Sequence, residues 1–100
     1  MTEFEFKVLE TIKKIPKGRV TTYGEVAKAI RSPKSARAVG NALHKNPWAP
    51  KVPCHRIVNS NGTLGGYAGG VAKKINILRK EGVDVRRGRV INFKNILYKF

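Results

Sequence analysis

The sequence predicts a mainly α domain built on a helix-turn-helix, with short extended segments between and after its helices. Three observations carry this reading. Thr2-Glu3-Phe4-Glu5 and Thr22-Tyr23-Gly24-Glu25 both have capping-box spacing, a threonine cap with a glutamate three residues on. Apolar residues recur at helical intervals in four stretches. The second and third of these are short and separated by a turn of a few residues, the helix-turn-helix pattern. With 100 residues, the expectation is one domain over 1–100, large enough to bury a core without metal or disulfides.

Phe4, Val8, Ile12 and Ile15, with Leu9 beside them, predict an amphipathic helix over 3–15, ended by Pro16-Lys17-Gly18. Arg19-Val20-Thr21 reads as a short extended link. Thr22 opens a second helix through about Arg31, with Val26, Ala27 and Ile30 inward. Ser32-Pro33 breaks it, and Pro33 suits the first position of a third helix over about 34–45. There Ala36, Val39, Gly40 and Leu43 share one face, and Arg37, Asn41 and His44 or Lys45 the other. Gly40 in mid-helix costs about 1 kcal/mol relative to alanine, which implies close approach of the backbone to something. A packed neighbouring helix and a nucleic-acid groove both satisfy that need.

Asn46 to Pro53 holds three prolines in eight residues and reads as a stiff, non-helical lead into Cys54. Ile57-Val58 predicts a short strand or buried stretch, and Asn59-Ser60-Asn61-Gly62 a turn. Gly65-Gly66-Tyr67-Ala68-Gly69-Gly70 places one tyrosine among four glycines. No Gly-Lys-Ser/Thr follows, so this is not a phosphate loop. It reads either as a flexible loop or as one whose backbone N–H groups approach a ligand closely, with Tyr67 presented. A fourth helix over 71–80 puts Val71, Ile75 and Leu78 inward and Lys73, Lys74, Asn76 and Lys80 outward, with Gly82 as its C-terminal stop. Glu81 at that end opposes the helix dipole and implies a cationic or imidazole partner. Val83 to Phe100 predicts a short extended pair or a terminal helix.

Composition narrows the function. The formal charge is +15, and its placement is uneven. Of six acidic residues, Glu3, Glu5, Glu10 and Glu25 lie in the first quarter, and Glu81 and Asp84 lie near the end. Between Val26 and Lys80 there is no acid at all, against roughly half of the 21 Lys and Arg. A one-sign stretch of this length points to a polyanion, most simply nucleic acid. No basic amphipathic helix with a bulky apolar face supports a membrane surface instead. No apolar run approaches the roughly 20 residues of a membrane span, and the N-terminus lacks a signal-peptide layout. A soluble protein of a reducing compartment is expected. No Cys/His cluster has zinc spacing, so no metal site is expected.

Cys54 is the only cysteine, and His55 and Arg56 follow it directly. Taken alone, a single cysteine is a small buried hydrophobe. Here nearby positive charge is expected to lower its pKa. His55 and Glu81 supply a base and an orienter of the kind a thiolate nucleophile needs. On extended backbone Cys54 and His55 would point apart, so a proton relay needs a turn or a bridging water.

Pro53-Cys54-His55-Arg56-Ile57-Val58, with Ser35-Ala36-Arg37-Ala38-Val39-Gly40 and Asn46-Pro47 before it, is followed by Gly66-Tyr67-Ala68-Gly69-Gly70 and Leu78-Arg79-Lys80-Glu81-Gly82. In order and spacing these motifs closely resemble the O6-alkylguanine-DNA alkyltransferase family over about residues 4–84. The stretch corresponds to that family's C-terminal DNA-binding and active-site domain. The resemblance implies a winged-helix-like helix-turn-helix DNA-binding domain without the family's usual N-terminal domain. It implies a cofactor-free monomer in the cytoplasm, or in the nucleus of a eukaryote. The implied partner is double-stranded DNA containing O6-alkylguanine. The implied reaction is irreversible, single-turnover transfer of an alkyl group from O6 of a flipped-out guanine to Cys54, with O4 of thymine as a second candidate position.

By the same resemblance, His55 acts through water as base for Cys54, Glu81 orients His55, and Asn46 braces the turn. Tyr67 would donate to N3 of the guanine, and Arg37 would fill the space it leaves. Tyr23 would press on the phosphate 3′ to it, and Ser35, Ala36 and Asn41 would face the minor groove. Leu43, Pro50, Ile57, Ala68 and Gly69 would line the pocket, with the carbonyls of Cys54 and Ile57 reading the guanine amino group. Ala68 stands where many members have serine, so only its backbone N–H remains near O6. The lack of an N-terminal domain also resembles alkyltransferase-like lesion sensors, which bind damage and recruit excision repair. Those typically carry tryptophan in place of the cysteine, and the thiol here favours a transferase.

Overall fold

The computed structural model describes residues 1–100. Helix α1, Glu3–Ile12, opens on the expected capping box: Thr2 Oγ1 accepts from the Glu5 N–H at 3.0 Å, and the Thr2 N–H donates to Glu5 Oε1 at 2.8 Å. The helix stops three residues short of the predicted end. Pro16 disfavours helical backbone at Ile15, and residues 13–15 turn instead, with Ile15 still fully buried. The second Glu5 oxygen accepts from Lys45 Nζ at 2.8 Å. This ammonium, with the Thr2 N–H, lowers the Glu5 carboxyl from its ordinary 4.5 to about 2.

Strand β1, Thr21–Thr22, leads directly into helix α2, Tyr23–Ala29. Thr22 Oγ1 caps α2 at 3.1 Å from the Glu25 N–H, whereas the Glu25 carboxylate lies 3.5 Å from Lys28, so only half of the second capping box forms. Helix α2 ends two residues before the predicted Arg31, which adopts φ 62° in the turn. Helix α3, Ala36–His44, begins later than predicted. Pro33 sits in the turn rather than at the first helical position. The Ser35 hydroxyl donates to the Ser32 carbonyl at 2.6 Å, closing that turn instead of capping α3.

Helices α1, α2 and α3 pack on one another around Val8, Leu9, Ile12, Val26, Val39 and Leu43. Cys54 belongs to this same cluster. A parallel pairing of β1 with strand β2, Ile57–Val58, sets Thr21 against Ile57 and Thr22 against Val58. That pairing ties the start of α2 to the 3-10 turn Cys54–Arg56 immediately before β2. Tyr23 and Cys54 are far apart along the chain, but this pairing brings both into the lining of one cleft.

Helix α4, Val71–Lys80, ends in a Schellman arrangement, with Gly82 N–H on the Arg79 carbonyl and Val83 N–H on that of Leu78. Gly82 takes φ 92°, as its predicted role requires. The inward face differs from the prediction. Leu78 is buried, but Val71 is 46% exposed, and Lys74 takes an inward position. The last segment contains both forms the sequence suggested: an antiparallel hairpin of β3, Val85–Arg86, with β4, Arg89–Val90, and a one-turn helix α5, Phe93–Ile96. A second core cluster of Val20, Val58, Leu64, Leu78, Val83 and Val90 lies beneath it. Arg19 straps this tail down by donating to the carbonyls of Ile96 and Leu97 at 2.9 and 2.8 Å.

Candidate active site

Pro53 leads into the 3-10 turn at φ −85°, and the turn fixes Cys54 on the floor of a cleft of about 410 Å³. One wall is α3, through Ala36, Arg37, Gly40, Asn41, Leu43 and His44. Tyr23, Asn59, Gly65, Gly66, Tyr67 and Ala68 complete the lining. The sequence reading put Ala36 and Gly40 on the face opposite Arg37 and Asn41, but the structure brings all four into the lining of this cleft. Gly65 adopts φ 69°, and a Cβ there would lie 3.2 Å from the Tyr23 hydroxyl, so glycine keeps the phenol's site open.

At Gly40, by contrast, an added Cβ would meet the Tyr23 ring at an ordinary 3.7 Å. Packing within the chain therefore does not require this glycine. The missing methyl instead keeps the cleft wall flat. Gly40→Ala is expected to raise folding stability by about 1 kcal/mol through helix propensity and to weaken binding of lesion-containing duplex. Thermal denaturation and a fluorescence titration check the two effects; unchanged binding would return Gly40 to a packing role.

The thiol is 7% exposed. Burial raises its pKa, and the opposing influences of the Asn46 amide and the Lys74 charge do not overcome it. The expectation of a thiol lowered by positive charge is thus corrected. Desolvation dominates because Cys54 backs onto the apolar core. Asn46 acts on the lead-in: its Nδ2 donates to the Val52 carbonyl at 2.8 Å, and its Oδ1 accepts from the Trp48 N–H at 2.9 Å.

His55 is 1% exposed, with Nε2 3.0 Å from Glu81 Oε2. Burial lowers its pKa despite the Glu81 hydrogen bond, so the imidazole is neutral at pH 7. The carboxylate at Nε2 assigns the ring proton to that nitrogen and leaves the Nδ1 lone pair as an acceptor. Nδ1 is buried and has no hydrogen-bond partner within the chain. Glu81 is gripped from its other side by Arg56, which donates from Nε at 3.0 Å and Nη2 at 2.7 Å while its Nη1 reaches the Ile15 carbonyl. Burial alone would raise the Glu81 carboxyl, but the Arg56 and His55 hydrogen bonds outweigh it and hold it below its ordinary value. The partner that the misplaced carboxylate implied is therefore both of these residues.

Two supporting residues escaped the sequence reading. Arg56 was noted only as a neighbouring charge. Lys74, expected at the surface, is 0% exposed and donates to the carbonyls of Ile57 at 2.7 Å, Leu64 at 2.5 Å and Gly66 at 3.2 Å. Its burial lowers its pKa from 10.5 to about 8. The signal was its spacing, since position 74 lies four residues before the buried Leu78 on the same helix face. Lys74 joins β2, behind the thiol turn, to the loop carrying Tyr67. Lys74→Met leaves the buried Ile57 and Leu64 carbonyls unpaired, at ~1–3 kcal/mol each. Relief of the buried charge offsets part of this, so a net loss on the order of 2 kcal/mol is expected. Urea denaturation measures it.

Several expected pocket residues lie elsewhere. Ile57 is fully buried with its carbonyl engaged by Lys74, and Pro50 is exposed on the far side of the cis Ala49–Pro50 bond. Gly69 does not line the cleft, and Ser35, expected at the minor groove, lies outside its lining. Burial raises the Tyr67 and Tyr23 phenols, and charge at Cys54 adds to both, so each remains a neutral O–H donor at pH 7.

Fold and site together define a helix-turn-helix domain whose second helix walls a cysteine-floored cleft. Residues 3–83 match the family profile described as 6-O-methylguanine DNA methyltransferase, DNA binding domain. A methylated-DNA–protein-cysteine methyltransferase of Methanosarcina acetivorans is 51% identical over 81 residues, covering 81% of this chain and 52% of that protein. The crystal structure of Mycobacterium tuberculosis OGT in complex with DNA aligns with a TM-score of 0.81 at 43% identity, over 82% of this chain and 50% of that one. S. pombe Atl1 in complex with damaged DNA containing O6-carboxymethylguanine aligns with a TM-score of 0.88 at 34% identity, over 100% and 98%. The chain belongs to the 6-O-methylguanine DNA methyltransferase family. It spans about half the length of the curated methyltransferases it matches.

Proposed function

We propose that this protein repairs double-stranded DNA by taking an alkyl group from O6 of guanine onto Cys54. The observation that carries the reading is Cys54 on the floor of a cleft walled by α3, followed directly by His55, whose imidazole is hydrogen-bonded to Glu81 and through it to Arg56. The thiol is too deep to meet a stacked base, so the modified guanine must leave the helix to reach it. Arg37, exposed on the α3 wall, is placed to occupy the space left behind.

His55 Nδ1, through a water, takes the thiol proton, and Glu81 with Arg56 holds the imidazole in the tautomer that can accept it. The thiolate sulfur forms a bond to the alkyl carbon as the carbon–O6 bond breaks, and that electron pair passes into the guanine ring. The Tyr67 O–H, donated to the ring, stabilises the developing charge. The proton lost by the thiol ends on the departing guanine. The products are an S-alkylcysteine and an unmodified guanine. Nothing regenerates the thiol, so each molecule reacts once. The test is mass spectrometry after mixing with O6-methylguanine duplex. One methyl per protein on the peptide holding Cys54 supports the reading, and tight binding without an adduct overturns it.

A second reading has its own support. Atl1 matches this chain along its whole length, including the segment after Gly82, whereas the family profile matches residues 3–83 and the M. tuberculosis OGT structure covers 82% of the chain. A lesion-binding protein that flips the base without reacting would fit that likeness. The buried thiol with a neutral base beside it favours transfer, and the adduct measurement separates the two.

A further inference from the structure

The β3–β4 hairpin lies beyond the residues that match the family profile, and it carries three arginines in four positions, Arg86, Arg87 and Arg89. All three are exposed. Arg86 and Arg89 stand directly opposite each other across the strands, a like-charge pairing that destabilises a hairpin. Arg87 and Gly88 form the two-residue tip, with φ 52° and 73°. Both values are positive, the pattern of a type I′ turn, where asparagine, aspartate or glycine is the favoured first residue. Arginine there is held in a backbone conformation that its Cβ disfavours. Folding alone would select against both features. The sole acid among them is Asp84, 3.3 Å from Arg86.

The hairpin is also fixed to the cleft. Arg89 bridges to Thr63, the Leu64 N–H donates to the Gly88 carbonyl at 3.1 Å, and the Val90 N–H to that of Gly62 at 2.9 Å. Gly65, which follows Leu64, is part of the cleft lining and faces the Tyr23 hydroxyl, whereas Gly40 of α3 faces the Tyr23 ring. The arginine tip therefore flanks the cleft mouth within the span of a few residues, at ~3.3–3.6 Å each. A duplex that delivers a base to Cys54 extends beyond that mouth, with one phosphate charge per ~1.7 Å of its axis.

We propose that this hairpin is a second, sequence-independent contact for the DNA backbone, gripping phosphates beside the cleft mouth. The inference rests on the DNA-repair reading above. Binding of the full-length chain to an undamaged duplex is measured against salt concentration. Each phosphate contact contributes about 0.9 to the slope of log affinity against log salt. The triple variant R86Q/R87N/R89Q is expected to lower that slope by about 2 to 3. R87N alone is expected to lower it by about 0.9 with an equal or higher melting temperature, because asparagine accepts the tip conformation. K7A/K14A/K17A removes the same charge from α1 and the turn after it, away from the cleft, and is expected to lower the slope by less than 0.5. Transfer from free O6-benzylguanine is expected to be unchanged in all three.

Equal slopes in the hairpin variants and the wild type would overturn the proposal, as would an equal loss in the α1 variant. Failure of the wild type to bind duplex at all would overturn the DNA reading itself, and this contact with it. Wild-type binding without transfer from O6-benzylguanine would overturn only the chemistry.

Discussion

Cys54→Ala is expected to abolish alkyl transfer to the protein, with no adduct detectable by mass spectrometry at any time. Binding to O6-methylguanine duplex is expected to persist. The thiol is the only sulfur nucleophile on the cleft floor, and no other residue lining the cleft can accept an alkyl group at a comparable rate. The cost to folding should stay near ~1 kcal/mol, because one buried atom is removed from a cluster of aliphatic side chains. Unfolding of the variant would instead identify Cys54 as a packing residue. An adduct formed on another residue would displace it as the acceptor.

His55→Gln should lower the transfer rate at pH 7 by about 10²–10⁴, the range for loss of a positioned general base. Burial holds the thiol above its ordinary 9.0, so at pH 7 less than about one per cent is ionised without help. The pH dependence distinguishes a base from a merely structural histidine. In the wild type, the His55 pKa is lowered from 6.5. The neutral base therefore persists below that pH, and the rate should stay level down to about 6.5. In the variant, transfer depends on spontaneous ionisation, and the rate should rise about tenfold per unit between pH 6.5 and 8. Above about 8, Lys74 loses its proton, which would complicate the profile. Stopped-flow or quench measurements across this range provide the test. A loss of the same size at every pH would mean that His55 supports the fold rather than the chemistry.

The same buried groups predict acid lability. The Glu81 and Glu5 carboxyls both sit below their ordinary values in the folded protein. Each contributes stability that is present above pH 4.5 and is lost as pH falls toward its folded pKa. His55 acts in the same direction, because protonating it in a buried site costs more than protonating it in the unfolded chain. Circular dichroism between pH 6 and 2 should show the helices melting over this window, and Lys45→Met should move the midpoint upward.

Much of this protein was legible from local chemistry. The capping threonines, the helix-breaking Pro16 and the C-terminal Gly82 act over a few residues, so the sequence alone located the helices to within about three positions. Cys54, His55, Glu81, Tyr67 and Arg37 were recognisable because their spacing carries the family's motifs, and the acid-free middle of the chain pointed to a polyanion without any fold. Three things waited for the tertiary structure. Whether Gly40 answers to packing or to the cleft depends on how far away the Tyr23 ring lies. The sign of the Cys54 shift depends on desolvation by a core assembled from α1, α2 and α3, which outweighs the nearby cations. Lys74 is the clearest case: a charged residue type argues for the surface, but three backbone carbonyls converging from β2 and the glycine loop hold it inside. Residue type and periodicity are local properties, whereas burial and the pairing of polar groups are set by segments distant in sequence. The chain by itself therefore pointed to the residues proposed to carry the chemistry, and only the fold decided the environment in which they sit.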